Sequence, residues 1–177
     1  MKARINRKTV PLIFAALFTA VIAAVSQISS LLPTGIPVTF QVFTVALCGF
    51  VLGVKWGTAS VAAYIILGAV GLPIYSFLKG GVHNLFGVTG GFILGFIILA
   101  LFCGMARNKK ISIKILFGII GLLICHIWGT VQFSFVTKTG IVESFIMASL
   151  PYIIKDIILV IASVFLSKYF EKYIKMI

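Results

Sequence analysis

Six apolar stretches, each cut off by glycine, proline or basic residues, constrain this chain more than any other feature. A helix that crosses a lipid bilayer needs roughly 20 mostly apolar residues. The stretches run from about Thr9 to Ser30, Val38 to Val54, Gly57 to Val70, Thr89 to Ala106, Ser112 to Val136 and Phe145 to Tyr169. The third is short and stops at Gly71-Leu72-Pro73, where the proline drives its neighbour out of the helical region. None shows the inside-outside alternation of barrel strands, so helices are expected throughout. The pattern predicts a single all-α integral membrane domain over residues 1–177, with six transmembrane helices. The second and third are short enough to be shielded by neighbours or to cross only part of the bilayer.

Charge gives this count an orientation. Twelve of the fifteen basic residues fall in segments that six crossings place on one side. They are Lys2, Arg4, Arg7 and Lys8 before the first helix; Lys55; Arg107, Lys109, Lys110 and Lys114; and Lys168, Lys172 and Lys175 at the end. Lys79 and Lys138 fall in the opposite loops, and Lys155 within the sixth stretch. Lys and Arg accumulate on the cytoplasmic side of membrane proteins, so both termini are expected in the cytoplasm. Five or seven crossings would strand a basic cluster outside. The same argument disposes of a signal peptide cut near Ala24-Val25-Ser26, which would leave five helices. The net charge of +12 is thus a topology signal and not a nucleic-acid footprint. With 61% hydrophobic and 10% charged residues, a soluble enzyme or binding domain is excluded.

Cys48, Cys103 and Cys125 stand singly inside separate stretches, without metal or redox spacing, and read as small packing residues. Ala16, Ala20 and Ala24 recur every four residues on the first helix and form one stripe of small side chains. Such a stripe admits close helix contact, either with a neighbour in the same chain or with another membrane protein.

The segment Gly71 to Gly95 breaks the pattern, with seven glycines among 25 residues beside Pro73, Lys79, His83 and Asn84. Irregular backbone near a membrane persists where protein buries it or where it lines a cavity. Gly80-Gly81 and Gly90-Gly91 permit close backbone approach, and Thr89 is placed to cap the fourth helix and leave amides facing an acceptor. A ligand-facing lid between helices 3 and 4, on the outer side, is the reading this density favours over a merely flexible loop.

Four groups of residues resemble the BioY family, the biotin-specific substrate-capture (S) components of energy-coupling factor (ECF) transporters. Ile36-Pro37-Val38-Thr39-Phe40-Gln41 is similar to the family's PVTxQ, and Leu67-Gly68-Ala69-Val70-Gly71-Leu72-Pro73 to its LGxxGLPVF. Gly87-Val88-Thr89-Gly90-Gly91-Phe92-Ile93-Leu94-Gly95-Phe96 resembles GPTGGYLxGF, and Leu150-Pro151-Tyr152 through Asp156 resembles PFxxxD. The anchors keep the family's order over nearly the whole chain. The resemblance implies six helices, a pocket near the outer side closed by loops, and dependence on a transmembrane scaffold (T) component and two ATPase subunits. It also implies that the stripe of Ala16, Ala20 and Ala24 meets the scaffold. Two positions depart: Val88 replaces a common proline, and Leu159 stands where the family usually has a lysine three residues after the aspartate.

Asp156 is the only acid inside a stretch read as a helix, about 11 residues from Phe145 or ~16 Å along the axis. At that depth a carboxylate costs at least ~2.5 kcal/mol and needs partners. The resemblance gives it the two ureido N–H groups of biotin; an internal pair with Lys155 or a cap near Pro151 is the structural alternative. Gln41, Asn84 and Gln132 are candidates for further hydrogen bonds, with Thr89, Gly90 and Gly91 at the helix start. Tyr75, Tyr152 and Phe40 are candidates for apolar walls. His126 reads more readily as bonded to a neighbouring side chain.

The chain has no phosphate-cradling motif, no acid–base pair and no metal cluster, so neither ATP hydrolysis nor enzymatic chemistry is expected of it, nor a cofactor. Nor does it carry the inverted halves of a self-sufficient carrier. The resemblance implies a multi-pass subunit of a prokaryotic cytoplasmic membrane that captures biotin for ATP-driven uptake. Leu159 keeps open another small vitamin or carboxylate as ligand, and a small channel or assembly subunit is the reading from a different class.

Overall fold

The computed structural model describes residues 9–31 and 36–174, the side chains of Leu31 and of residues 171–174 aside. The basic positions Lys2, Arg4, Arg7, Lys8 and Lys175 therefore lie outside the described residues, as does the side chain of Lys172. The helices are α1 (Thr9–Ser26), α2 (Gln41–Ala69), α3 (Gly90–Met105), α4 (Ile111–Thr137), α5 (Ile141–Ala148) and α6 (Leu150–Ile174). By length and composition α1, α2, α4 and α6 are long and apolar enough to cross a membrane, and α3 is a shorter apolar helix.

The stretches read as second and third helices are the two arms of α2. Gly53 interrupts it at φ 79°, ψ −176°, a conformation that disfavours any side chain. Beyond this point the chain doubles back. Gln41 Nε2 donates to Tyr64 Oη at 2.8 Å, and Cys48 Sγ lies 3.7 Å from the Gly57 carbonyl. In a straight helix residues 41 and 64 would stand ~35 Å apart. The reversal thus falls at Gly53, slightly ahead of the 54–57 turn expected.

Two other boundaries differ from expectation. The first helix ends at Ser26 instead of Ser30, because Ser29–Leu31 (β1) pairs antiparallel with Pro37–Thr39 (β2). Apart from this short two-stranded ribbon and the connecting turns, the described residues are helical, as the all-α reading expects. The sixth helix begins at Leu150, after a break at Ser149 that leaves α5 as a separate short helix. Asp156 is therefore six residues, or ~9 Å, from the start of its helix rather than eleven residues.

Close backbone approach binds the helices. A Cβ on Gly49 would sit 2.5 Å from the Ala100 carbonyl oxygen, and one on Gly95 2.7 Å from Cys125 Sγ. Around this contact Phe50, Tyr64, Leu99, Cys103, Leu122, Val160 and Val164 form the main core. Cys48, Cys103 and Cys125 are buried, free thiols within the packing.

The two ends differ. At one, the α2 reversal meets the α3–α4 corner, where Arg107 Nη1 donates to the Leu52 carbonyl at 3.3 Å. Lys114, counted above with a loop, is buried in α4 at the same end. Its ammonium sits 5.7 Å from the Phe50 ring centroid and donates to Ser167 Oγ at 3.2 Å. The opposite end gathers β1–β2, residues 70–89, α5 and the first turns of α6. Replacing Gly49 by valine should force α2 off α3 and destabilise the purified protein by about 1–3 kcal/mol. A lowered thermal midpoint in detergent checks this; an unchanged midpoint would mean that the helices are less tightly locked than the contact implies.

Candidate functional site

The polar end encloses a cavity of about 250 Å³. Its charged corner comes from α4 and α6. Buried residues on α6 recur at Tyr152, Asp156 and Val160, the four-residue spacing of one helix face, and this turns Tyr152 and Asp156 inward. Asp156 is 4% exposed, and its two oxygens are held separately. Lys155 pairs with Oδ1, while His126 Nε2 lies 3.3 Å from Oδ2. Lys155 Nζ also donates to the Thr39 carbonyl at 2.8 Å, tying α6 to β2. A lysine stem reaches around its helix, so adjacent residues serve one site despite the 100° between them. The structural alternative for Asp156, a pair with Lys155, is thus present, and the pair itself lines the cavity.

The α2 arms contribute a second polar wall. Gln41 is buried at the helix start, where its Oε1 accepts from Thr39 Oγ1 at 3.0 Å and its Nε2 donates to Tyr64. Tyr152 Oη donates to the Ile36 carbonyl at 2.8 Å, fixing the strand against α6. Phe92, Ile93, Phe96 and Leu122 complete the lining with apolar surface. This combination of one charged corner, a few amides and aromatic walls is what a small-molecule pocket needs.

Residues 70–89 form the cover. Tyr75 is 2% exposed, donates to the Ile65 carbonyl at 2.6 Å and packs edge-on against Tyr64 at 5.5 Å; burial pushes its phenol pKa up. The next residues turn sharply, with Phe77 at φ 61° and Leu78 at φ 55°, both left-handed. Such a pair costs free energy that surrounding contacts must offset. Gln27 at the end of α1 supplies them. Its Nε2 donates to the carbonyls of Ile74 and Tyr75, and its Oε1 accepts from the Leu78 N–H at 2.9 Å. Ser26 Oγ adds a bond to Ile74 at 2.6 Å. Lys79, His83 and Asn84 line the mouth.

Of the residues singled out in the sequence, Asp156, Asn84, Gln41, Thr89, Tyr152 and Tyr75 come together around this cavity. Thr89 makes no capping bond through its side chain. Gln132, Gly90 and Gly91 do not line it. Gln132 Nε2 donates to the Leu85 and Gly87 carbonyls at 2.7 and 2.9 Å and so anchors the cover from behind. Gly90 and Gly91 are contact points, where a Cβ would strike the Leu85 and Trp128 carbonyl oxygens. Phe40 is 51% exposed and lies outside the lining. Ala16, Ala20 and Ala24 lie on the exposed face of α1, whereas Ala15 packs inward. Sequence reasoning named Lys155 only as a pair for Asp156 and passed over Gln27; their full roles depend on contacts 116 and up to 51 positions away. Among the described residues no three His, Cys, Asp or Glu side chains could hold a metal ion.

The family model described as the BioY family matches residues 1–176. The chain belongs to the BioY family. A biotin transporter BioY of Thermotoga maritima is 40% identical over 156 residues, covering 86% of this chain and 90% of that protein. A probable biotin transporter BioY of Pyrococcus horikoshii is 38% identical over 144 residues, covering 81% and 85%. The crystal structure of the S-component for biotin from an ECF-type ABC transporter has the same fold, with a TM-score of 0.85 at 23% identity. It covers 96% of this chain and 95% of that one. Leu159 packs on the main core and lies outside the cavity lining.

The Gln27 contacts generate a direct prediction. Gln27→Ala should free the turn at Phe77 and Leu78, and hydrogen exchange of the amides at 75–79 should speed up at least severalfold while α3 and α4 stay protected. Unchanged exchange at these amides would show that the turn is held by something else.

Proposed function

We propose that this BioY-family chain is the membrane-embedded S component of an ECF-type importer, and that it captures biotin from outside the cell. The observation that carries the reading is the buried Asp156 carboxylate on the cavity wall, held by Lys155 and His126. A fixed acceptor beside a fixed ammonium suits a head group that offers adjacent N–H donors and a carbonyl, as the ureido ring of biotin does. The cavity of about 250 Å³ is just under the roughly 300–1,000 Å³ usual for ligand pockets, a size for a vitamin and not for a nucleotide or peptide. Gln41, Asn84 and Thr89 add polar contacts; Tyr75 and Tyr152 supply wall. Gln132, Gly90 and Gly91 act indirectly, by holding the cover and seating α3.

In this reading the two arms of α2 count separately and the chain crosses the bilayer six times. Both termini lie in the cytoplasm of a prokaryotic cell, with the cavity facing outward. The packing of Arg107 and Lys114 at the end remote from the cavity supports that orientation. Energy for uptake comes from two ATPase subunits through a transmembrane T component. The exposed face of Ala16, Ala20 and Ala24 is the surface offered to it, since small residues permit close helix approach in lipid.

Titration of the purified chain with radiolabelled biotin should give saturable binding below micromolar concentration, and Asp156→Asn should weaken it by about tenfold or more, the worth of a hydrogen bond to a charged group. Absence of saturable binding would sink the assignment. A second reading, in which the same site takes another small vitamin or carboxylate, starts from Leu159 standing where the family usually has a lysine. A panel of vitamins separates the two, because only the ligand that binds the folded state raises its thermal midpoint.

A further inference from the structure

Beside the cavity, three side chains form a chain of contacts that ends on the carboxylate. Thr130 Oγ1 lies 2.7 Å from Ser149 Oγ, Ser149 Oγ lies 3.0 Å from His126 Nδ1, and His126 Nε2 lies 3.3 Å from Asp156 Oδ2. All four residues are at most 4% exposed. The order of donors follows from the end of the chain. An ionised carboxylate only accepts, so Nε2 carries a hydrogen; a neutral imidazole then accepts at Nδ1. In that arrangement Ser149 donates to Nδ1 at 3.0 Å in preference to the more distant His126 carbonyl at 3.4 Å, and Thr130 donates to Ser149.

We infer that His126 is a positioning residue for the ligand site: the Thr130–Ser149 pair fixes its tautomer, and it holds Asp156 Oδ2 while Lys155 holds Oδ1. The plane of the carboxylate is thereby set from two sides, and its cavity-facing lone pairs are aimed at the ligand. Ser149 is suited to the task because it is itself immobilised. It occupies the break between α5 and α6, its N–H bonds to the Phe145 carbonyl, and its carbonyl accepts from Tyr152 and Ile153. The irregularity that ends α5 thus seats the hydroxyl that orients the ring. His126 also lines the cavity, but holding Oδ2 requires no contact with the ligand, and a double-mutant cycle separates the two roles. The inference rests on the reading of Asp156 as the ligand's acceptor.

The test is a double-mutant cycle with biotin as the probe. His126→Leu should weaken binding by about tenfold, and His126→Gln, which keeps an N–H at similar reach, should recover most of the loss. In an Asp156→Asn background His126→Leu should add nothing. Losses that multiply would mean that His126 acts on the ligand or on folding independently of Asp156, and would overturn the inference. A readout without ligand comes from the imidazole ¹⁵N signals, because the chain has two histidines and His83→Ala leaves one. The His126 ring should be neutral with its hydrogen on Nε2, and Ser149→Ala should disturb that state. A hydrogen on Nδ1, or on both nitrogens, contradicts the relay. If the wild type binds no biotin, the ligand assignment fails, and the imidazole signals alone decide whether the relay stands.

Discussion

Burial of one carboxylate organises the cavity end of this protein. Asp156 is withdrawn from water, and an unpaired charge there would cost several kcal/mol. Its compensation comes from Lys155 on the same helix and His126 on α4, and the Lys155 ammonium also donates to the Thr39 carbonyl on β2. Satisfying that charge therefore fixes α4, α6 and the ribbon relative to each other. The cavity is the space left between elements so fixed. A polar network of this sort is a high-stakes arrangement, since each unsatisfied member would cost more than an apolar substitute. Its presence on a cavity wall, in a bundle otherwise packed with Val, Leu, Ile and Phe, is the reason to read it as a site instead of an ion pair serving stability.

The remainder of the bundle has to hold still without the hydrophobic drive that packs a soluble core, because lipid is as apolar as the side chains. Close approach takes its place. Gly49 against Ala100, Gly95 against Cys125 and Gly129 against Phe92 bring α2, α3 and α4 to distances that any side chain at those points would prevent. These contacts begin at the basic end and run up to the cavity wall. Gly90 and Gly91 belong to the same series, which explains why they flank the cavity without lining it.

How much of this the sequence disclosed depends on the range of the interaction. Apolar length and basic clusters are local, and they located α1, both arms of α2, α3, α4 and α6, but not α5, which the sixth stretch merged in part with α6. A break that needs only one residue was misplaced by a few positions, because Gly53 and Val54-Lys55-Trp56-Gly57 are equally good punctuation until packing chooses. The end of α1 was placed too late because Ile28 and Leu31 continue the apolar pattern around Ser29 and Ser30, and only pairing with Val38 and Thr39 shows the serines to be strand. Asp156 was legible since an acid in an apolar helix is costly wherever the fold puts it. Lys155 was legible as a pair for Asp156 but not as part of the cavity wall: helical geometry points its Cα–Cβ bond away from Asp156, and the length of its stem, together with a carbonyl 116 residues distant, brings the ammonium back. Gln132 looked like a ligand contact because it is an amide in an apolar helix. The backbone carbonyls of Leu85 and Gly87 satisfy its donors instead.

The two ends of the molecule are held by different physics, and this bears on which one opens. Around Gly49, Gly57 and Gly104 the contacts are backbone against backbone, with no intervening side chain to rotate away. The cover of the cavity combines backbone bonds, such as Gly81 N–H to the Gly68 carbonyl at 2.7 Å, with many side-chain bonds. Gln27 and Ser26 hold residues 74–78, Asn84 bonds to the Gly80 carbonyl, and Gln132 bonds to the Leu85 and Gly87 carbonyls. Each such bond has a modest net worth, about 1 kcal/mol, because water competes for it at a partly exposed position. The left-handed turn at Phe77 and Leu78 opposes them. Free energies of local opening follow the same gradient, lowest where few apolar contacts and many solvent-accessible hydrogen bonds maintain the structure. In the proposed reading, a ligand of the cavity would enter past a cover held in large part by a few side-chain hydrogen bonds.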